Sequence, residues 1–177
     1  MKNLNSLQFY KVAALMALLM IVVVSCKDDD PVLPAYAGTW AATESIPTET
    51  GYTSIKDIVT LTETSFAELG QMEIGTGNWK DIASLKGTMT VSGNSLHITL
   101  TDVGMTTLNM LTGLPTGTII TYHEGSAEFN DQLSQMEQPK TYVTQFSISG
   151  NQLTLLTDIN LDGDYTDEYE TGVYTRQ

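Results

Sequence analysis

Asp158-Ile159-Asn160-Leu161-Asp162-Gly163-Asp164 puts oxygen-bearing side chains at every second position, with a glycine at the sixth. This is how a calcium loop begins: a hard cation gathers carboxylate, amide and carbonyl oxygens around a sharp turn. Asp158, Asn160 and Asp162 would offer side-chain oxygens, and Asp164 its backbone carbonyl. The twelfth position is Tyr169 where such loops carry a bidentate Glu, so Glu168 or Glu170 would have to complete the shell. Six acids stand between Asp158 and Glu170 with no base among them. Two readings stay open: a Ca2+ site that stiffens the loop by relieving this repulsion, and a solvated acidic hairpin loop that holds no metal.

Other chemistry is sparse. No Gly-x-Ser-x-Gly elbow is present, and the two histidines, His97 and His123, lie in different segments. His97 alternates with Leu96 and Ile98 and so points to the solvent side of a strand. His123 precedes Glu124 and can pair with a carboxylate for general-base work, yet no nucleophile or oxyanion donor accompanies it. The reading is therefore not an enzyme. With 8 Lys and Arg against 21 Asp and Glu, the net charge of −13 leaves no footprint for nucleic acid. A single Cys excludes an internal disulfide framework and a cysteine-based zinc site.

That cysteine has a specific setting. Lys2 and Lys11 precede an unbroken apolar run from Val12 to Val24, which ends in Val23-Val24-Ser25-Cys26. The run falls short of the roughly 20 residues that a spanning helix needs, so it reads as the core of a secretory signal. A small residue before a lone Cys at this place resembles the bacterial lipobox. The resemblance implies cleavage before Cys26 and acylation of that Cys, palmitate included, which would anchor the chain to the outer membrane. Lys27-Asp28-Asp29-Asp30 resembles the surface-export signal of some Gram-negative lipoproteins. The expected organisation is a signal peptide over residues 1–25, an acylated tether over 26–37 and one folded domain over 38–177.

The domain must position whatever chemistry exists, and it reads as strands. Short alternating runs rich in Thr are separated by Gly and Asn. Strands are expected over Gly38–Glu44, Ile55–Glu63, Ser65–Ile74, Trp79–Val91 with a bend near Gly87, Thr118–Glu124 and Tyr169–Arg176. Ser-Gly-Asn stands at the turn of two hairpins, Met89–Ile98 and Phe146–Leu155, with apolar residues alternating on both sides. Phe129, Leu133 and Met136 are spaced for a short helix before Pro139. Gly104–Gly117 is apolar, with Met105, Leu108, Met110, Leu111 and Leu114. It reads first as a short helix capping the core, and second as the lining of a ligand entrance. Eight or nine antiparallel strands with little helix predict an all-β, up-and-down barrel.

Gly38-Thr39-Trp40 opens the first strand, and Tyr174-Thr175-Arg176 closes the last. With the lipoprotein signal and the Ser-Gly-Asn hairpins, this resembles the lipocalin-like domain of small bacterial lipoproteins. The resemblance implies a barrel closed where Arg176 stacks on Trp40. No Thr-Asp-Tyr counterpart of the middle lipocalin motif is found. A barrel of this size either fills with side chains or holds one small molecule. The expectation is a small apolar or amphipathic ligand, with Trp79, Met105, Met110 and Tyr122 as candidate contacts. The alternative is a solid barrel whose loops bind another surface protein or a glycan.

Overall fold

The computed structural model describes residues 33–48, 51–158, 165 and 170–177. Nine strands and one helix are found among them: β1 (Gly38–Thr48), β2 (Gly51–Leu61), β3 (Ser65–Glu73), β4 (Trp79–Ser92), β5 (Ser95–Leu108), β6 (Pro115–His123), α1 (Ala127–Gln135), β7 (Thr141–Ser149), β8 (Gln152–Thr157) and β9 (Thr171–Arg176). Eight of the strands close a ring in the order β1–β2–β3–β4–β5–β7–β8–β9, and β9 returns to β1. Every pairing is antiparallel. This is the barrel that the strand pattern predicts, with β6 and α1 inserted once into the up-and-down order.

Alternation explains the wall. Each strand turns every second side chain inward, and the apolar residues fall on that register. Trp40, Val59, Leu61, Phe66, Met89, Leu96, Ile98, Leu100 and Leu153 meet in one buried core. Each such side chain contributes about 1.5–3 kcal/mol by leaving water. Both Ser-Gly-Asn turns join strands through two residues: Ser92 pairs with Ser95, and Ser149 with Gln152. Gly93 and Gly150 open them with φ of +59° and +60°, as a two-residue hairpin requires.

The bend near Gly87 is a register shift between β4 and β5, where Lys86 faces Asp102 and Gly87 faces Leu100, leaving Thr101 unmatched. A Cβ on Gly87 would lie 2.4 Å from the Thr99 carbonyl oxygen, so only glycine permits this approach. The bulge falls where β5 changes partners. Below it, Ser95–Thr99 pair with β7 and belong to the ring. Above it, Asp102–Leu108 pair with β6.

Gly104–Gly117 is therefore not a helix over the core. β5 runs on through Leu108, a turn follows, and β6 returns from Pro115. The physical reason is local. Thr106, Thr107, Thr116 and Thr118 favour extended backbone, and the Asn109 side chain accepts from the Leu111 and Thr112 amides at 2.9 and 3.1 Å, closing a turn. Met110 and Leu111 stand fully exposed at its tip. The helix comes later. Ser126 caps α1 by accepting from the Phe129 amide at 3.1 Å, and Phe129 and Leu133 bury against the core.

The ring closes at a short seam. β1 meets β9 only at Trp40–Arg176 and Ala41–Thr175. The Arg176 guanidinium lies 4.2 Å from the centre of the fully buried Trp40 ring, and it donates to the carbonyls of Ala35 and Ala37. The Trp40 indole N–H in turn donates to Tyr36 O at 2.9 Å. A lysine would keep the charge but lose the planar fork that stacks and reaches two carbonyls at once. Arg176→Lys is expected to destabilise the fold by about 1–3 kcal/mol, read from the urea midpoint. A midpoint equal to the wild type would remove Arg176 from the closure.

Candidate functional site

The inward register is not apolar throughout. Along β2 it reads Ile55, Asp57, Val59, Leu61, and along β3 Phe66, Glu68, Gly70. Glu68 lies directly opposite Val59, and Asp57 opposite Gly70, so the two acids are diagonal neighbours inside the ring. Beyond its two pairs with β9, β1 continues to Thr48 with no partner on that side among the described residues, and the described wall parts there.

Two cavities occupy this half of the barrel. The outer one, about 310 Å³, opens at the parted seam between Ala42, Glu44 and Ile46 of β1, Ile55 and Asp57 of β2, and Tyr174 of β9. The inner one, about 180 Å³, reaches down to Phe66, Leu96, Tyr142 and Thr144. Asp57, Glu68, Gly172 and Tyr174 border both, so the carboxylates stand where the two spaces meet. The other half, around Trp40, is filled by side chains.

Tyr174 crosses the lumen to donate its hydroxyl to Asp57 Oδ2 at 2.9 Å. Gly172 makes room for this: a Cβ there would lie 2.6 Å from the Tyr174 ring. Burial raises the Asp57 carboxyl above its usual range; the Tyr174 and Ile58 hydrogen bonds pull it back, and the Glu44 charge adds to the rise. Burial together with the Asp57 charge pushes Glu68 up to about 8. Among the described residues Glu68 makes no side-chain hydrogen bond. Its carboxyl is enclosed by the wall yet borders both cavities, which leaves it partly exposed to lumen space. Burial and the two carboxylates also raise the Tyr142 and Tyr174 hydroxyls far above the ordinary phenol value. The lumen thus carries two carboxyls that both resist ionisation, and Glu68 holds its proton at neutral pH.

The residues singled out in the sequence lie elsewhere. Trp79 carries the Lys56 ammonium 4.2 Å from its ring centre, Met105 is 36% exposed, Met110 is at the β5–β6 tip, and Tyr122 packs beside the core. None of the four borders either cavity. Of the proposed calcium ligands, Asp158 and Glu170 are described, whereas Asn160, Asp162, Asp164 and Glu168 lie outside the described residues, as does Cys26. Glu170 is buried at the edge of the inner cavity, and its carbonyl accepts from the Thr157 amide at 2.8 Å. Among the described residues no three His, Cys, Asp or Glu side chains stand close enough to hold a metal ion.

His97 is exposed. His123 Nδ1 meets Asp102 Oδ1 at 2.5 Å, and the Thr101 hydroxyl donates to Asp102 Oδ2 at 2.7 Å. These bonds, Thr101 first, hold Asp102 below the usual carboxylate range, with Lys86 nearby. The imidazole is largely in solvent, so the dyad has no enclosed substrate space of its own. Comparison of the chain with known protein families and with curated proteins finds no match.

The raised Glu68 value carries a stability sign. The folded chain keeps a proton that the unfolded chain loses above about 4.5, so this group's contribution is complete at low pH and is lost as pH rises toward about 8. Asp57 acts in the same direction. Glu68→Gln keeps the shape without the titration. It is expected to gain stability relative to the wild type as pH rises through this window, by at most about 1.4 kcal/mol per pH unit. Urea midpoints for both proteins across the window check this, and a constant difference would contradict it.

Proposed function

We propose that this chain is a ligand-binding barrel, held at the outer membrane by a lipid on Cys26 and taking a small amphipathic molecule into the parted half of its lumen. The observation that carries the reading is the pair of joined cavities, about 310 and 180 Å³, at a seam where β1 and β9 separate. Small-molecule sites are concave, mostly apolar spaces with a few converging polar groups, and barrel mouths are common places for them. Ala42, Ile46 and Ile55 supply the apolar wall, and Asp57, Glu68 and Tyr174 the polar groups. The lipobox-like Val23-Val24-Ser25-Cys26 and the likeness of the Gly-x-Trp and Tyr-x-Arg strands to lipocalin-like lipoproteins support the anchored binding module.

The second reading, contact with a surface protein or glycan through the loops, draws on the β5–β6 tip. Leu108, Met110 and Leu111 are exposed by 59%, 101% and 96% there. It leaves the lumen without a role, so binding inside the barrel separates the two.

The neutral fluorophore N-phenyl-1-naphthylamine is a suitable probe. The wild type is expected to bind it saturably, with a rise in emission. Ala42→Trp, which fills the outer cavity from β1, is expected to weaken binding at least tenfold while circular dichroism still reports a β fold. A wild type that leaves the emission unchanged would refute the binding-module reading. The address has its own check: Cys26→Ser is expected to abolish palmitate labelling and to release the protein from the membrane pellet. Unchanged labelling would exclude Cys26 as the acylated residue.

A further inference from the structure

The lumen is short of positive charge. Five Lys and Arg lie among the described residues, and each is engaged outside the two cavities. Lys56 stacks on Trp79, Lys140 pairs with Glu124, and Arg176 covers Trp40. The Lys80 stem lies beside the backbone at Gly117, and Lys86 is near Asp102. None borders the cavities where Asp57 and Glu68 meet.

An enclosed carboxylate without a counter-charge is costly. Asp57 is compensated in part by the Tyr174 hydroxyl at 2.9 Å. Glu68 has no hydrogen-bond partner among the described residues, and it faces open space in an otherwise hydrogen-bonded molecule, where no fully buried side-chain polar atom lacks a partner. A carboxyl so placed is costly by itself and is stabilised by a molecule that brings donors beside it. The outer wall fits the rest of such a molecule: Ala42, Ile46 and Ile55 line the way in, with Glu44 at the same mouth.

Building on the lumen-binding reading, we infer that the ligand is an organic ammonium: a primary amine whose cationic head sits between Asp57 and Glu68 and whose apolar body lies along Ala42, Ile46 and Ile55. A primary ammonium offers three donors, which suits two carboxyls and a phenol oxygen. A hard dication needs several oxygens converging on one point, and among the described residues no three His, Cys, Asp or Glu side chains stand close enough to hold one. An anionic ligand meets Glu44, Asp57 and Glu68 together and is repelled.

The inference includes a proton. Burial, with the Asp57 charge, holds Glu68 protonated at neutral pH. Among the described residues, the titratable groups that share the two cavities with it are acids or phenols: Asp57, Glu44, Tyr142, Tyr174 and, across the inner cavity, Glu170; Lys86 lies on the outer face of the wall. An ammonium beside it restores the ordinary carboxylate, so Glu68 gives its proton to the buffer as the cation binds.

Calorimetry at neutral pH with three probes of matched length, octylammonium, octanol and octanoate, tests this. Octylammonium is expected to bind at least tenfold more tightly than octanol, with octanoate not binding. Its heat is expected to vary with the ionisation enthalpy of the buffer, as proton release requires. Glu68→Gln should abolish that variation, and Asp57→Asn should weaken octylammonium at least tenfold while leaving octanol unchanged. Tyr174→Phe, which removes only a hydroxyl, keeps the test open should Asp57→Asn fail to fold, and should weaken octylammonium alone. Octanol or octanoate binding as tightly as octylammonium overturns the ammonium claim and leaves the binding module standing. Calcium binding at Asp57 and Glu68 in place of octylammonium also overturns it. Binding of none of the three removes the lumen reading itself.

Discussion

A ring of strands has to close somewhere, and here it closes on two residue pairs. Trp40 meets Arg176, and Ala41 meets Thr175. All other neighbours in the barrel share longer ladders, from the five pairs of β5 with β7 to the eleven of β1 with β2. The seam would be weak on backbone hydrogen bonds alone. It is reinforced by a guanidinium stacked on an indole and tied to the carbonyls of Ala35 and Ala37. The residues just before β1 are therefore part of the closure, because Tyr36, Ala35 and Ala37 hold the two side chains in place. This one contact makes a solid end possible, since it puts the largest fully buried side chain at the point where the wall meets itself.

The solid end in turn sets what the rest of the lumen can be. Apolar residues fill the space around Trp40, and the same alternation carries Asp57 inward one step past Val59 on β2 and Glu68 one step past Phe66 on β3. Buried acids in a packed barrel would have to lose their charge or pair with a base. Here they face open space, with Tyr174 spanning to Asp57 and Gly172 clearing its path. Glu68 keeps its proton because burial and the Asp57 charge both oppose ionisation. The lumen is divided between a half packed with apolar side chains and a half that carries titratable groups.

Much of the fold was legible because local rules governed it. The Ser-Gly-Asn turns, the bend at Gly87 and the helix at Phe129 and Leu133 each follow from a few neighbouring residues. Trp40 and Arg176 were legible through their strand-end positions. The segment Gly104–Gly117 misled because its leucines and methionines read as core, whereas Thr pairs and the Asn109 turn hold it extended and leave its tip in solvent. The lumen acids were harder to see. The signal exists in Ile55-x-Asp57-x-Val59-x-Leu61 and Phe66-x-Glu68, where an acid occupies an apolar register. Recognising it as a pair needs the β2–β3 register, which makes the two acids diagonal neighbours, and the crossing from Tyr174, 117 residues away in the chain.

The cavity mouth follows from unequal strand lengths among the described residues. β8 ends at Thr157 and β9 begins only at Thr171. β9 has six residues against the eleven of β1, and among the described residues the upper part of β1 has no partner on that side. If β8 and β9 ran as long as β1 and β2, the seam would zip past Ala42 and close the outer cavity. Asp57 and Glu68 would then be sealed in without water or ligand, at a cost that no described lysine or arginine is placed to offset. The acids in the wall are tolerable because they face cavity space rather than a sealed core.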